Sequence, residues 1–122
     1  KMYNMFGSCT NLETLDLSNF DTSNVESMSL MFWNCQNLKE LNITSFNTSN
    51  VISMDRMFRA CNSLTSIDIS SFDTRKVTTM EGMFSYSSNL SSIYVGNMWN
   101  IANADITDMF VESGVDYVRL KK

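Results

Sequence analysis

The sequence predicts an α/β repeat fold of about 4.5 stacked coils, each a short parallel strand followed by a short helix. Three observations predict it. The dipeptide Met-Phe recurs at positions 5, 31, 57, 83 and 109, a constant 26-residue step. Apolar residues fall into columns at the same period: Leu12, Leu38, Leu64 and Leu90; Leu15, Leu41, Ile67 and Ile93; Leu17, Ile43, Ile69 and Val95; Phe20, Phe46 and Phe72; Val25, Val51 and Val77; Met28, Met54 and Met80, with Met2 one period earlier. The 122 residues are 43% hydrophobic and 18% charged, which suits one domain with a core and not a disordered chain. A single coil offers only one apolar face per element, so neighbouring coils must stack to bury it.

The coils run 5–30, 31–56, 57–82 and 83–108, with a partial C-terminal capping unit at 109–122, all in one domain of residues 1–122. In each, LETLDLS and its counterparts LKELNIT, LTSIDIS and LSSIYVG alternate like a strand with one buried face. This is the L-x-x-L-x-L pattern of a leucine-rich repeat. FDTSN follows, and its Asp, Thr, Ser and Asn suit a turn and a helix N-cap. Ser23 and Glu26 have capping-box spacing. Val25, Met28, Met31 and Phe32 are then spaced 3, 3 and 1, which predicts about two helical turns with one apolar face. The fourth unit lacks the Cys and carries Met98 and Trp99 where the others have Phe and Asp or Asn, and Trp99 is expected to replace the missing Phe of its coil. GVDYVRLKK fits if one residue is dropped, which puts Val115, Val118 and Leu120 in the strand columns and a basic tip on the exposed edge. At the other end KMYNMF starts inside a predicted helix with no capping unit, as if cut from a longer array, and such an edge can pair end to end with another copy.

Nine of the ten methionines occupy two columns, where an unbranched, polarisable side chain fills gaps between slightly different neighbours. Cys9, Cys35 and Cys61 share one column at the return from helix to strand, and Ser87 takes that place in the fourth coil. The column asks for a small, weakly polar residue at an inner corner. Disulfide pairing is not expected, because parallel side chains in a ladder seldom meet the dihedral requirement.

Composition excludes several functions. Nine basic against 13 acidic residues and a pI near 4.6 leave no footprint for nucleic acid or anionic lipid. No apolar run is long enough to cross a bilayer, so no membrane insertion is expected in this segment, and a secretion signal or anchor is expected outside it. With no histidine there is no Ser-His or Cys-His couple and no ordinary general base near neutral pH. Sulfurs separated by a full repeat lie along a line, which does not suit zinc. The Asp16, Asn42, Asp68 and Asp21, Asn47, Asp73 ladders offer about one carboxylate or amide per coil, fewer oxygens than calcium needs. No enzyme activity, cofactor or metal is expected.

With MFxxCxxLxxLDLSxFDTSNVxxM assembled from its units, the chain resembles the bacterial surface-protein 26-residue repeat family. These are BspA-like leucine-rich repeats, also catalogued as a domain of unknown function in mycoplasma, lactic-acid bacterial and Listeria-type surface proteins. The resemblance covers residues 1 to about 110. It implies a right-handed leucine-rich-repeat solenoid in an extracellular, cell-surface setting, with roles in adhesion or protein binding and neither an enzymatic activity nor a shared ligand.

Outward strand residues would tile a recognition face. They are Thr14 and Asp16, Glu40 and Asn42, Asp68, and Tyr94, the one large aromatic there, with Glu13, Lys39 and Thr65 just before the strands. Trp33, in a column with Gly7, Arg59 and Ser85, is a further candidate contact outside the core. The expected function is non-catalytic recognition of a host or neighbouring-cell surface protein through the strand face. A structural spacer and a glycan-binding module are the alternatives.

Overall fold

The computed structural model describes residues 2–121; Lys1 and Lys122, assigned above to the N-terminal helix and the basic tip, lie outside them. Among the described residues five short strands appear in chain order, β1 Thr14–Asp16, β2 Glu40–Asn42, β3 Ser66–Ile69, β4 Ser92–Val95 and β5 Arg119–Leu120. All pairing is parallel, with β1–β2 forming one sheet and β3–β4–β5 another. Leu15 faces Leu41 and Ile67 faces Ile93, one repeat apart in each case, so the repeat sets the register. A second ladder of single bridges joins Ser27, Ser53, Thr79 and Asp105 at the same period.

The expected α/β class, with a right-handed leucine-rich-repeat solenoid bearing one helix per coil, is overturned. The described residues contain no helix, only short parallel strands in two small sheets and turns between them. An α-helix sends each N–H to the carbonyl four residues back. Here Leu30, Phe32 and Asn34 instead donate to Asp55, Met57 and Arg59 of the next coil, at 3.0, 2.9 and 2.8 Å. The residues between and after them, Met31, Trp33 and Cys35, close three-residue turns on Met28, Leu30 and Phe32. This alternation is made possible by left-handed backbone at two columns. One is the residue before each Met-Phe, with φ of 56° at Asn4, 58° at Leu30, 54° at Arg56, 62° at Gly82 and 58° at Asp108. The other comprises Ser8, Asn34, Ala60, Tyr86 and Glu112. A left-handed non-glycine residue costs roughly 1–2 kcal/mol, and at Asn4, Ser8, Leu30, Asn34, Arg56, Ala60 and Tyr86 the residue donates its N–H to the following coil. The Ser23–Glu26 spacing caps no helix, since Ser23 donates both its N–H and its hydroxyl to Asp21 Oδ1 in a local turn.

The core nonetheless follows the columns. Phe6, Phe32, Phe58, Phe84 and Phe110 form one stack, with centroids 5.8, 5.5, 5.6 and 5.8 Å apart and planes within 13°. Eight of the nine column methionines are buried, Met5 being the exception at 46% exposed. Phe46 and Phe72 stack and are buried, but Phe20 is 38% exposed and meets Phe6 at 6.5 Å instead. Cys35 and Cys61 are buried, and their thiols donate to the carbonyls of Phe6 and Phe32. Ser87 donates to Phe58 in the same way, which explains why Ser can replace Cys in this column.

Thr22, Thr48 and Thr74, read above as turn residues, are buried stitches between coils. Thr22 donates to the Asn47 carbonyl and accepts from its N–H, Thr48 does the same with Asp73, and Thr74 with Asn100. Asn100 lies one position beyond a full repeat from Asp73, so the fourth coil has slipped by one. Trp99 accordingly closes on Gly96 as Phe72 closes on Ile69, and it packs half-buried against the core where the column lacks its Phe. The slip is reversed by Asp105, which bridges Thr79 at the ordinary period. In the last unit Leu120 pairs with Val95, one position short of a full repeat, as the dropped residue requires. Val115 and Val118 pack on the core, while Leu120 is 62% exposed. Gly114 permits the shortening, because a Cβ there would lie 2.1 Å from the Leu90 carbonyl oxygen.

Candidate functional site

The strands place the expected recognition residues in two groups. Thr14, Asp16, Glu40 and Asn42 are exposed, pair across β1 and β2, and line one shallow depression with Leu15 and Leu41. Glu13 and Lys39 lead into it, the Glu13 carbonyl accepting the N–H groups of Lys39 and Glu40. The second group is set by β3 and β4. Thr65 accepts the N–H groups of Ser91 and Ser92, and Asp68 faces Tyr94, which in turn faces Arg119. Among the described residues β2 and β3 are not paired, so the sheet is interrupted between the groups. Tyr94 is half-buried in its row, and Lys121 reaches over that strand to give Asp68 Oδ2 a 2.6 Å ion pair. Asp68 is thus already engaged. Partial burial would raise its pKa, but hydrogen bonds from Lys121 and Ser70 outweigh this and hold it below the usual carboxylate range.

Seven further Asp and Asn side chains are occupied by their own turns. Asp16, Asp21, Asn42, Asn47, Asp73, Asn100 and Asp105 each accept the N–H two residues on. Hydroxyl and then backbone bonds from Ser18, Ser23 and Thr107 lower the pKa of Asp16, Asp21 and Asp105. Among the described residues no cluster of three or more His, Cys, Asp or Glu side chains is arranged around a point. The thiols are equally quiet. Burial pushes Cys35 up to about 11 and Cys61 higher still, so both stay protonated and poorly nucleophilic near neutral pH.

Trp33 lies away from the strands, half-buried beside the Met-Phe ladder. That side of the coil holds residues the strand-face reading missed. Arg56, Arg59, Glu81, Gly82, Ser85, Tyr86, Asp108 and Val111 surround a hollow. The Arg59 guanidinium sits over the Tyr86 ring, 5.0 Å from its centroid. Arg56 lies 3.7 Å from Asp55 and 3.9 Å from Glu81, long ion pairs at a solvated site. The signal available in the sequence was Gly82 itself, the one glycine in the column before Met-Phe. No helix among the described residues is long and apolar enough to cross a membrane.

A family model described as Mycoplasma protein of unknown function, DUF285, matches residues 1–117. No curated protein and no solved structure matches the chain.

Proposed function

From the premise that the chain belongs to this Mycoplasma family of unknown function, DUF285, we propose that it is a non-catalytic recognition segment of a bacterial cell-surface protein. It binds a host or neighbouring-cell protein through its strand face. The supporting observation is the depression across β1 and β2, where Thr14, Asp16, Glu40 and Asn42 stand exposed on a backbone fixed in register by the stacked core. Rigid presentation lowers the ordering cost of binding, which is where a repeat array gains affinity. The test is capture of a surface protein by the immobilised chain, compared with a Glu40→Ala, Tyr94→Ala double variant. Loss of the captured partner with unchanged melting supports this reading, and equal capture removes it.

A spacer role is the second reading, favoured by the unbroken phenylalanine stack from Phe6 to Phe110, which makes one side of the array continuous. Unaltered capture by the double variant would leave the spacer as the better account.

A further inference from the structure

We infer that the hollow beside Gly82 is a second recognition site, distinct from the strand face, which takes a single carboxylate side chain from an otherwise uncharged peptide segment on the fork of Arg59. Three observations carry this. The first is the guanidinium itself. It lies over the Tyr86 ring, 5.0 Å from the centroid, and among the described residues its side chain has neither an ion pair nor a hydrogen bond. A guanidinium held over an aromatic face with its N–H donors unengaged matches the two oxygens of a carboxylate.

The second is Gly82. Its left-handed backbone does not demand glycine, because Asn4, Leu30, Arg56 and Asp108 adopt nearly the same φ at the same column position. What differs is the missing side chain. A Cβ at Gly82 would stand 3.3 Å from Ser85 Oγ and 3.4 Å from Arg56 Cγ, so any larger group would fill the floor of the hollow. The third is the composition of the wall. Tyr86 and Val111 are 44% and 38% exposed, and Trp33 occupies the same column as Arg59 one coil earlier. Trp, Tyr and Arg are the residues that anchor protein interfaces most often, and here they gather on the Met-Phe side while the strand face is mostly small and polar.

Charge narrows the ligand. Glu81 and Asp108 share the rim with Arg56 and Arg59. Arg56 is shared between Asp55 and Glu81, so of the two arginines Arg59 is the one left to an incoming anion, which favours a monoanion held by geometry and disfavours a phosphate dianion. A glutamate or aspartate side chain flanked by uncharged residues fits, its carboxylate on Arg59 and its neighbours against Tyr86 and Val111.

The experiment follows the side-chain Nε–Hε signal of Arg59 and the ring signals of Tyr86 by NMR. The chain is titrated with an acetylated, amidated alanine-glycine pentapeptide carrying one central glutamate, with its glutamine and phosphoserine analogues, and with sialyllactose. The expected result is saturable movement of both signals with the glutamate peptide and roughly tenfold weaker binding of the glutamine analogue. Arg59→Lys keeps the charge but loses the fork and should weaken binding by a similar factor. Gly82→Asn, which copies Asn4 at the equivalent position, should abolish binding while leaving the backbone spectrum folded. Equal binding of the glutamine peptide, preference for the phosphoserine peptide or sialyllactose, retained binding in Gly82→Asn, or no movement with any probe would each overturn the assignment.

Discussion

The hydroxyl of Thr48 donates to the carbonyl of Asp73 at 2.9 Å and accepts the N–H of the same residue at 2.7 Å. One buried side-chain oxygen therefore satisfies both backbone groups of a residue in the next coil. Thr48→Val keeps the shape and removes the hydroxyl, leaving the Asp73 N–H and carbonyl without this partner. The expected loss is about 1–3 kcal/mol, the cost of stranding buried polar groups, and Thr48→Ser should recover most of it. Urea unfolding of the three proteins checks the order.

Phenylalanines of one sequence column should behave differently. Phe46 is 2% exposed and stacked on Phe72, so Phe46→Ala should cost about 3–5 kcal/mol. Phe20, 38% exposed, has Phe6 as its aromatic neighbour, so Phe20→Ala should cost no more than about 1.5 kcal/mol. Asn47→Asp restores the residue of neighbouring coils at an exposed turn and should change stability by about 0.5 kcal/mol or less. Denaturation midpoints that reversed this order would show the buried and open faces to be exchanged.

Thiol labelling should proceed by coil. Cys9 is half-buried, whereas Cys35 and Cys61 are fully buried, protonated at neutral pH and bonded to carbonyls. A thiol reagent in native buffer should modify Cys9 first and reach Cys61 only with unfolding. Cys61→Ser should cost about 1 kcal/mol or less, because Ser87 already makes the same bond one coil later. Mass spectrometry of peptides from timed samples gives the labelling order.

The pin between Lys121 and Asp68 should titrate with acid. The folded-state pKa of Asp68 is depressed, so its contribution to stability is complete above the unfolded value, about 3.9, and disappears as pH falls through the folded one. Asp68→Asn should therefore melt below the parent chain at pH 6, and the gap should close as the pH drops towards 2. A gap independent of pH would mean that the pair contributes nothing.

Much of the architecture was legible because the columns are a one-dimensional code. Met31, Phe32, Cys35 and Leu38 recur at one period, and the structure buries them as the recurrence requires. The one-residue drop before Val115 was legible for the same reason. The helix was not, since spacings of 3, 3 and 1 are shared by a helical face and by a run of three-residue turns. Only the donors distinguish them, and Leu30, Phe32 and Asn34 give theirs to the neighbouring coil. The left-handed residues carried no warning, because Leu30, Arg56 and Tyr86 are ordinary helix or strand formers held in that region by tertiary bonds. Of the candidate contacts, strand alternation correctly made Thr14, Asp16, Glu40 and Asn42 outward residues. It could not foresee that Lys121 would occupy Asp68, a pairing of residues 53 apart in sequence.

Every second amide along the Met-Phe ladder, from Asn4 to Tyr86, points its N–H towards the coil that follows. Their dipoles add instead of cancelling, so this edge has a polarity that a pleated sheet of the usual kind lacks. Its positive pole falls at the last Met-Phe pair, and there the chain carries two carboxylates, Asp108 and Glu112, flanking Met109 and Phe110. The ladder behaves electrically like a helix axis laid through the stack, with acidic side chains at the pole where they are most comfortable.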